Sequence, residues 1–448
     1  MLLEDYNRTS LAVQRERAVL VSCLMPGMNI DPHDPLGELR SLADTAGAVV
    51  VDQMMQNRDR PDPATFIGKG KVQELKQMVE AQEAEVIIFD NDLSPSQIAN
   101  VEEGTDCKVL DRSELILDIF AGRAQTYEAK LQVELAQLEY TYPRLRAMWS
   151  HLERIAGGSP TGMGTRGPGE QQLEIDRRIV QKKKSELKRE IAMLQRRKHR
   201  EVESRNKDFF TVGLVGYTNA GKSTLFNTVT DGDAYADDKL FATLSTRTRR
   251  WDLGGGDGVM LSDTVGFVRD LPHHLVASFK ATLEEAVHSQ LLIIVLDVAH
   301  PQARQQMETV NEVLDAIGAT EQPRLLALNK VDRLDHNGEL LLFQQDYPTS
   351  LPISARDGTG IAVLGEEVRT AMRGRTLEVE IEVSLKEGKA VNFIETRGEV
   401  LKRTYGDGVV VYSVRIGERL LDHLRAMGSH ARILGEDQQP VARGWATE

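Results

Sequence analysis

Apolar and polar positions alternate with two different periods along the first 120 residues. Short apolar runs indicate buried strands, and the amphipathic stretches between them indicate helices. The predicted strands are residues 17–24, 48–52, 85–90 and 108–110, and the predicted helices are residues 37–45, 69–84 and 94–103. Because strands that alternate with helices form parallel sheets, we predict an α/β domain over residues 1–120.

The next segment of the chain has a longer hydrophobic period. Apolar residues step by four and three positions alternately in one stretch, and recur every seven positions in the next. The first set is Leu131, Leu135, Leu138, Tyr142, Leu145, Trp149 and Leu152, and the second is Leu173, Val180, Leu187 and Leu194. Such seams are typical of long helices that pack against each other. We predict an antiparallel helical hairpin over residues 121–207; the alternative is two helices that pack on the core of their own domain.

The tip of this hairpin is rich in glycine. Residues 157–169 read GGSPTGMGTRGPG. Such a loop buries no core and its backbone can approach a partner closely, although a flexible linker has a similar composition. Behind it, residues 177–207 carry seven arginines and six lysines against four glutamates, in a chain of net charge −13. This asymmetry favours a polyanionic partner, and without an aromatic ladder we expect contacts with an RNA backbone.

The stretch 216–223 carries the clearest chemistry. It fits the pattern G-x-x-x-x-G-K-[ST] and lies between an apolar run and a predicted helix, which together form a phosphate site. Lys222 is expected to contact the β and γ phosphates, and the Ser223 hydroxyl to bind Mg²⁺. The expected nucleotide contacts here are Gly216, Tyr217, Thr218, Asn219, Ala220, Gly221, Lys222 and Ser223.

Three later motifs select the nucleotide, in the order D-x-x-G, N-K-x-D and S-A. Asp263 is expected to hold Mg²⁺ through water, and the Gly266 N–H to reach the γ-phosphate. Asp332 can accept two hydrogen bonds from guanine that adenine does not offer, and a backbone N–H near residue 355 can reach guanine O6. The predicted contacts are Asp263, Thr264, Val265, Gly266, Asn329, Lys330, Val331, Asp332, Ser354, Ala355 and Arg356. Together the motifs predict a GTP-binding domain over residues 208–374.

The first mobile switch is expected at residues 241–245, with the Thr243 hydroxyl completing the Mg²⁺ shell in the GTP state. The predicted contacts are Phe241, Ala242, Thr243, Leu244 and Ser245, and the predicted catalytic residues are Lys222, Thr243 and Gly266. Phe267 stands where a glutamine would orient the attacking water, so slow unstimulated hydrolysis is expected. A partner, a rearranged switch or a monovalent cation could complete the site. Asn219 occupies a position where some G proteins use Asn to help bind K⁺.

The remaining residues, 375–448, predict a small α+β domain. Its predicted strands are residues 377–383 and 408–414, and its predicted helices are residues 389–403 and 417–427. No apolar run approaches the roughly 20 residues of a membrane span, so we expect none. The two cysteines, Cys23 and Cys107, indicate reduced thiols in a cytoplasm rather than a disulfide framework. We also expect a monomer.

Several longer motifs are more specific than those common to all G proteins. They are LDR at 110–112, LILDIFAGRA at 115–124, KLQVELAQL at 130–138, RGPGE at 166–170, FATL at 241–244 and DTVGF at 263–267. With them the chain resembles the HflX family of ribosome-associated GTPases over nearly its full length. The resemblance implies a cytoplasmic factor that binds the 50S subunit and its rRNA, and splits stalled or idle ribosomes. The implied ribosome contacts are Gly157, Gly158, Arg166, Gly167, Pro168 and Gly169.

Three hypotheses about function remain open on the sequence. The first is a GTP-hydrolysing switch that acts on ribosomes, in which the nucleotide orders the switches and the arm then binds. The second is an RNA-remodelling NTPase that uses the basic arm on free rRNA. The third is a nucleotide-gated binding module with negligible turnover, which Phe267 makes conceivable.

Overall fold

The computed structural model describes residues 16–28, 30–155, 168–230, 240–241, 246–269, 286–334, 336, 338–374, 376–406, 408–426 and 431–437. The chain divides into two compact units. The first comprises residues 1–249 and 261–358, and the second comprises residues 250–260 and 359–448. The four domains predicted from the sequence stay a prediction.

The first unit opens with a four-stranded parallel sheet. Its elements are β1 (Arg17–Leu24), α1 (Gly37–Ala46), β2 (Val49–Asn57), α2 (Lys69–Gln82), β3 (Val86–Phe89), α3 (Pro95–Thr105), β4 (Lys108–Leu110) and α4 (Arg112–Arg123). The strand order is β2-β1-β3-β4, and every neighbouring pair is parallel. Helices cover both faces, which explains why β3 is buried along its whole length.

Helix starts in this sheet follow local rules. Helix α3 begins at Pro95 behind a capping box, in which the Ser94 side chain accepts a hydrogen bond from the Gln97 N–H and the Gln97 side chain accepts one from the Ser94 N–H. Helix α4 begins behind Asp111, whose carboxylate accepts a hydrogen bond from the Glu114 N–H. The cap fixes Arg112 as the first residue of α4, directly after β4.

Two long helices follow, α5 (Tyr127–Ile155) and α6 (Pro168–Asp208). Leu131 and Leu135 of α5 pack with Leu187 and Ile191 of α6 in one apolar cluster. Ion pairs join Glu134 to Lys183 at 3.1 Å and Glu139 to Lys188 at 2.7 Å, and Tyr127 Oη donates to Glu190 at 2.6 Å. Glu139 also pairs with Lys184 at 3.5 Å. From Tyr127–Glu190 to Glu139–Lys184 the contacts move forward along α5 and backward along α6, so the two helices are antiparallel, as predicted.

A second sheet carries the phosphate-loop region. Its elements are β5 (Thr211–Gly216), α7 (Lys222–Thr230), β6 (Arg247–Gly254), β7 (Asp257–Asp263), β8 (Leu291–Asp297), α8 (Ala303–Ile317), β9 (Arg324–Asn329), a 3₁₀ turn (Val331–Arg333), α9 (Gly338–Asp346) and β10 (Leu351–Pro352). The strand order is β10-β9-β8-β5-β7-β6, with β5, β8, β9 and β10 parallel. The carboxyl ends of β5, β8 and β9 therefore meet at one edge, where open α/β sheets bind ligands. The segment after β7 lies beside the phosphate loop there, because Tyr217 and Phe267 form a parallel bridge.

The second unit ends in a four-stranded antiparallel sheet. Its elements are α10 (Ile361–Arg373), β11 (Thr376–Ser384), α11 (Gly388–Arg397), β12 (Glu399–Tyr405), β13 (Val409–Gly417), α12 (Glu418–Ala426) and β14 (Arg432–Asp437). The strand order β12-β13-β11-β14, with a helix before β12 and another before β14, is the ferredoxin-like arrangement. This arrangement confirms the α+β fold that the sequence predicted for the C-terminal residues.

One sequence-based expectation about an element was wrong, and one helix was not predicted. The predicted helix over residues 389–403 ends at Arg397, and residues 399–405 form β12 instead. A β-carbon at Gly398 would lie 2.4 Å from Val414 Cγ2 and 2.9 Å from the Ile394 carbonyl oxygen, so the chain turns there. Helix α4 was not predicted, because its residues from Arg112 to Leu117 are all buried and show no amphipathic period.

Candidate nucleotide-binding site

The loop between β5 and α7 is shaped by two glycines. Gly216 has φ of 148°, and a β-carbon there would lie 2.2 Å from the Val295 carbonyl oxygen. Gly221 has φ of 96°, and a β-carbon there would lie 2.3 Å from Asn329 Nδ2. Both positions therefore require glycine. The loop delivers the chain to the start of α7, where unpaired backbone N–H groups form an anion site.

Lys222 is the first residue of α7, and its side chain folds back over the loop. Its Nζ donates to the carbonyl oxygens of Gly216 at 3.0 Å and Tyr217 at 2.7 Å. Burial lowers the pKa of Lys222 to about 8, and the nearby Asp263 carboxylate opposes that shift. The site thus holds a desolvated cation, whose attraction for a phosphate is stronger than in water.

Two side-chain oxygens that could bind a metal ion lie close to Lys222. Ser223 Oγ donates to Asp263 Oδ2 at 2.8 Å, which joins the start of α7 to the end of β7. Hydroxyl and carboxylate oxygens are the ligands that Mg²⁺ prefers, and that ion usually completes its shell with waters and substrate phosphates. The described residues contain no group of three or more His, Cys, Asp or Glu side chains that could hold a metal ion.

The N-K-x-D and S-A motifs meet the phosphate loop through Asn329. Its Nδ2 donates to the Ala220 carbonyl at 2.7 Å, and its Oδ1 accepts from the Ala355 N–H at 2.9 Å. Lys330 Nζ donates to the Asn219 carbonyl at 2.7 Å and pairs with Asp297 at 2.8 Å. These contacts fix the three segments relative to one another. Asp332 lies in the 3₁₀ turn after β9 and is exposed, as a base-reading carboxylate requires.

The D-x-x-G segment runs along the phosphate loop. The Phe267 N–H donates to the Gly216 carbonyl at 3.1 Å, and the Thr218 N–H donates to the Phe267 carbonyl at 2.7 Å. A β-carbon at Gly266 would lie 2.8 Å from Thr218 Cγ2 and 3.0 Å from Lys222 Nζ. Only glycine brings its backbone this close to the lysine. The Phe267 ring is fully buried, and a phenyl ring has no polar group with which to orient an attacking water.

Some predicted site residues lie outside the described part of the chain. These are Ala242, Thr243, Leu244, Ser245, Gly157, Gly158, Arg166 and Gly167. Pro168 and Gly169 are the first two residues of α6. Phe241 is described, and its ring packs edge to face on Phe120, with ring centroids 4.6 Å apart. The ring therefore belongs to the core, and a nucleotide contact from the Phe241 backbone stays a prediction.

Sequence reasoning missed a charged cluster behind the loop. Tyr217 Oη donates to Glu38 at 2.8 Å and accepts from the Arg269 N–H at 2.8 Å. Asp90 pairs with Arg112 at 2.7 Å and with Arg269 at 2.6 Å. The sequence signals were that Asp90 and Arg112 follow β3 and β4, at the edge where parallel sheets place functional groups, and that Arg112 belongs to the LDR motif.

The fold and this site define a P-loop GTPase: a glycine-shaped phosphate loop, D-x-x-G beside its lysine, and N-K-x-D tied to it through Asn329. Comparison with known proteins agrees over most of the chain. The family "GTP-binding GTPase N-terminal" matches residues 33–121, "GTP-binding GTPase Middle Region" matches residues 123–205, and "50S ribosome-binding GTPase" matches residues 211–330.

Comparison with individual relatives identifies the family of GTPases to which the chain belongs. The chain is 44% identical over 400 residues to GTPase HflX of Lacrimispora saccharolytica, covering 88% of this chain and 92% of that one. It is 43% identical over 376 residues to GTPase HflX of Escherichia coli, covering 84% and 87%. The chain belongs to the HflX family of GTPases, as the sequence motifs predicted. Among the residues that the structure describes, no helix is both long and apolar enough to cross a membrane.

Proposed function

We propose that this protein is a ribosome-dependent GTPase that binds the 50S subunit and its rRNA, and separates stalled or idle ribosomes. The observation that carries the proposal is the direct connection between the basic arm and the nucleotide site. Helix α6 ends at Asp208, and β5, which delivers the phosphate loop, begins at Thr211. A force on the arm therefore reaches the loop through a two-residue link. The "50S ribosome-binding GTPase" match at residues 211–330 supports the same partner.

The arm has the charge that rRNA phosphates attract. Its exposed basic side chains along α6 are Arg178, Lys182, Lys183, Lys188, Arg189, Arg196, Arg197 and Arg200. Several pair with glutamates of the same arm at its α5 side, as Lys183 and Lys188 do. Phosphate contacts of this kind position a protein without reading sequence. The glycine-rich tip, with Gly157, Gly158, Arg166, Gly167, Pro168 and Gly169, is the proposed ribosome-contacting end.

Each part of the site has a proposed role in GTP hydrolysis. Lys222 contacts the β and γ phosphates, the Gly266 N–H contacts the γ-phosphate, and Asp332 accepts hydrogen bonds from guanine. Ser223, Thr243 and, through water, Asp263 would hold Mg²⁺, which when bound would neutralise charge on the phosphates. The nucleotide lies along the remaining loop and motif residues named from the sequence.

Phe267 favours activation by a partner. Its ring is buried and both of its main-chain groups are bonded to the phosphate loop. A glutamine at this place would orient water, and this chain has no polar group there. The free protein is therefore a slow GTPase, and the ribosome completes the site. A ribosomal partner implies a cytoplasmic location, and we propose that the chain acts as a monomer.

The test is GTP hydrolysis with and without salt-washed 50S subunits. We expect stimulation by 50S, and we expect it to weaken when Arg189, Arg196 and Arg200 are changed to glutamate. Each lost phosphate contact should lower the salt dependence of 50S binding by about one unit of slope. The matched control is Arg304→Glu on α8, which breaks the surface pair with Asp346 and should leave stimulation intact.

A variant with residues 157–169 shortened separates the tip from the rest of the arm. We expect 50S binding with reduced stimulation. GTP hydrolysis that 50S does not stimulate would reject the ribosomal proposal, and stimulation by free rRNA alone would favour the RNA-remodelling function. Nucleotide binding without turnover under all of these conditions would favour the binding module.

K⁺ is the proposed monovalent activator. Asn219 has a left-handed backbone with φ of 59°, and its carbonyl accepts from Lys330 Nζ, so its backbone is fixed in the phosphate loop, where the residue is exposed. We expect faster GTP hydrolysis in KCl than in NaCl, and we expect Asn219→Ala to remove the difference. Equal rates of the native protein in both salts would exclude K⁺ as an activator.

A further inference from the structure

A cluster of charged side chains lies between the N-terminal sheet and the phosphate loop. We call Glu38, Asp90, Arg112, Tyr217 and Arg269 the Arg112 cluster. Arg112 donates to Asp90 Oδ1 at 2.7 Å and also pairs with Glu38. Arg269 donates to Asp90 Oδ2 at 2.6 Å and lies 3.3 Å from Glu38 Oε2. Two cations thus share two carboxylates, and the charges balance.

The members come from two different parts of the first unit. Glu38 lies in the first turn of α1, Asp90 follows β3, and Arg112 begins α4, all in the N-terminal sheet region. Tyr217 belongs to the phosphate loop, and Arg269 lies three residues after Gly266. The N-terminal residues therefore hold a segment that includes the predicted γ-phosphate contact.

The cluster holds the main chain of Arg269 as well as its side chain. The Arg269 N–H donates to Tyr217 Oη at 2.8 Å, and the Arg269 carbonyl accepts from Arg112 Nη2 at 3.2 Å. Two residues earlier, both main-chain groups of Phe267 are bonded to the phosphate loop. On the other side of Gly266, the Thr264 hydroxyl donates to the Leu214 carbonyl at 2.6 Å. The chain is thus held on both sides of Gly266, and little freedom remains for the Gly266 backbone.

Burial makes these contacts strong constraints. The side chains of Asp90 and Arg112 are 1% and 2% exposed, and that of Arg269 is 11% exposed. Removing one charge from such a cluster leaves another buried without compensation, so the arrangement resists partial rearrangement. Burial and the Glu38 carboxylate raise the pKa of Tyr217 well above its usual value, which keeps its hydroxyl a hydrogen-bond donor.

The start of the first switch is held by the same part of the chain. The Phe241 ring packs on Phe120 of α4, and the Leu240 N–H donates to Thr45 Oγ1 of α1 at 3.1 Å. Phe241 has φ of 55°, a conformation that is costly for a bulky residue and persists only where packing fixes it. The N-terminal region therefore contacts the start of the first switch as well as Arg269, three residues after Gly266.

We propose that the Arg112 cluster positions the Gly266 N–H for the terminal phosphate of GTP. Glu38, Asp90, Arg112 and Arg269 are positioning residues, because they act through the 266–269 main chain rather than on the nucleotide. GDP lacks the phosphate that Gly266 meets, so the cluster favours GTP over GDP. By thermodynamic linkage, bound GTP in turn strengthens the docking of the N-terminal region on the switches.

The test compares the dissociation constants of GDP and of a non-hydrolysable GTP analogue for Arg112→Gln and Arg269→Gln in the full chain. Loss of one positioned hydrogen bond to a charged phosphate should weaken the GTP analogue by about ten- to hundredfold, while GDP changes by less than about threefold. The kcat of GTP hydrolysis should fall as well. Arg112→Lys keeps one ion pair and should recover part of both effects.

Two further variants separate positioning from folding. Tyr217→Phe removes only the hydroxyl that bridges Glu38 and the Arg269 N–H, and should shift the GTP-to-GDP affinity ratio in the same direction by a smaller factor. Glu16→Gln breaks the Glu16–Lys108 ion pair on the same N-terminal sheet, away from the switches, and should leave the ratio unchanged. The Arg112→Gln and Arg269→Gln effects should be non-additive in the double variant, because the two residues act through one segment.

Three results would overturn the proposal. Equal weakening of GDP and the GTP analogue would assign the cluster a purely structural role. Unchanged affinities in a folded Arg112→Gln protein would mean that residues 266–269 are positioned without it. Tighter binding of the GTP analogue would mean that the cluster opposes the GTP state.

Discussion

Replacing Lys222 with methionine is expected to reduce the kcat of GTP hydrolysis by about 10²–10³-fold or more, with or without ribosomes. The ammonium group is buried, lies beside Gly266, and carries the charge that would stabilise the transferring phosphoryl group. Methionine keeps the length and the apolar stem but removes the cation. Single-turnover hydrolysis of bound GTP measures the chemical step without product release.

The same substitution also removes the donor that serves the Gly216 and Tyr217 carbonyls. GDP affinity and thermal unfolding therefore need to be measured with the rate. The matched control is Lys108→Met, which removes a half-buried lysine paired with Glu16 on the N-terminal sheet. It should leave hydrolysis unchanged. A Lys222→Met protein that hydrolyses GTP at the native rate would show that another group stabilises the phosphoryl charge.

Replacing Asp332 with asparagine is expected to weaken GTP by about 100-fold or more and to favour xanthosine triphosphate. In the proposed site the carboxylate would accept two hydrogen bonds from guanine, and hydrogen bonds to charged groups contribute about 1.5–3 kcal/mol each. Asparagine presents a donor where guanine also has one, whereas xanthine presents a carbonyl oxygen there. Asp332 is exposed in a short turn, so the change should not disturb the fold.

Competition binding with GTP, xanthosine triphosphate and ATP measures this reversal. Asp315→Asn is a suitable control, because Asp315 is an exposed aspartate at the end of α8, paired with Arg324, that does not reach the nucleotide edge of the sheet. An Asp332→Asn protein that still prefers GTP would contradict the assignment of the guanine-reading residue. Gain of ATP binding would instead indicate that the base pocket discriminates by another group.

Much of the architecture followed from local patterns. The period of two or of 3.6 identified most strands and helices of the N-terminal sheet, because each of those elements buries one face or is bounded by a clear turn. The hydrophobic pattern did not predict helix α4, because the first half of that helix is buried on all sides and its sequence has no amphipathic period. The pattern also predicted a helix that was too long at Gly398. Local propensity would continue that helix, but Val414 packs against Gly398 and the helix ends there.

The nucleotide motifs were readable for a different reason. A phosphate loop functions within one short segment, so Gly216, Gly221 and Lys222 carry its geometry in their own order and spacing. The structure added the role of Asn329, which joins the loop to the Ala355 N–H at 2.9 Å. That role needs a contact between residues 109 positions apart, which no local pattern encodes.

By itself, the sequence determined the class of protein, its family, and the residues that are expected to meet GTP. Only the tertiary structure revealed the Arg112 cluster that contacts the phosphate loop and the segment after Gly266. Glu38 meets Tyr217 across 179 residues of chain, and Arg112 meets Arg269 across 157. A motif can be recognised in a sequence because its residues are neighbours along the chain. The Arg112 cluster forms only because two sheets place the ends of their strands close together.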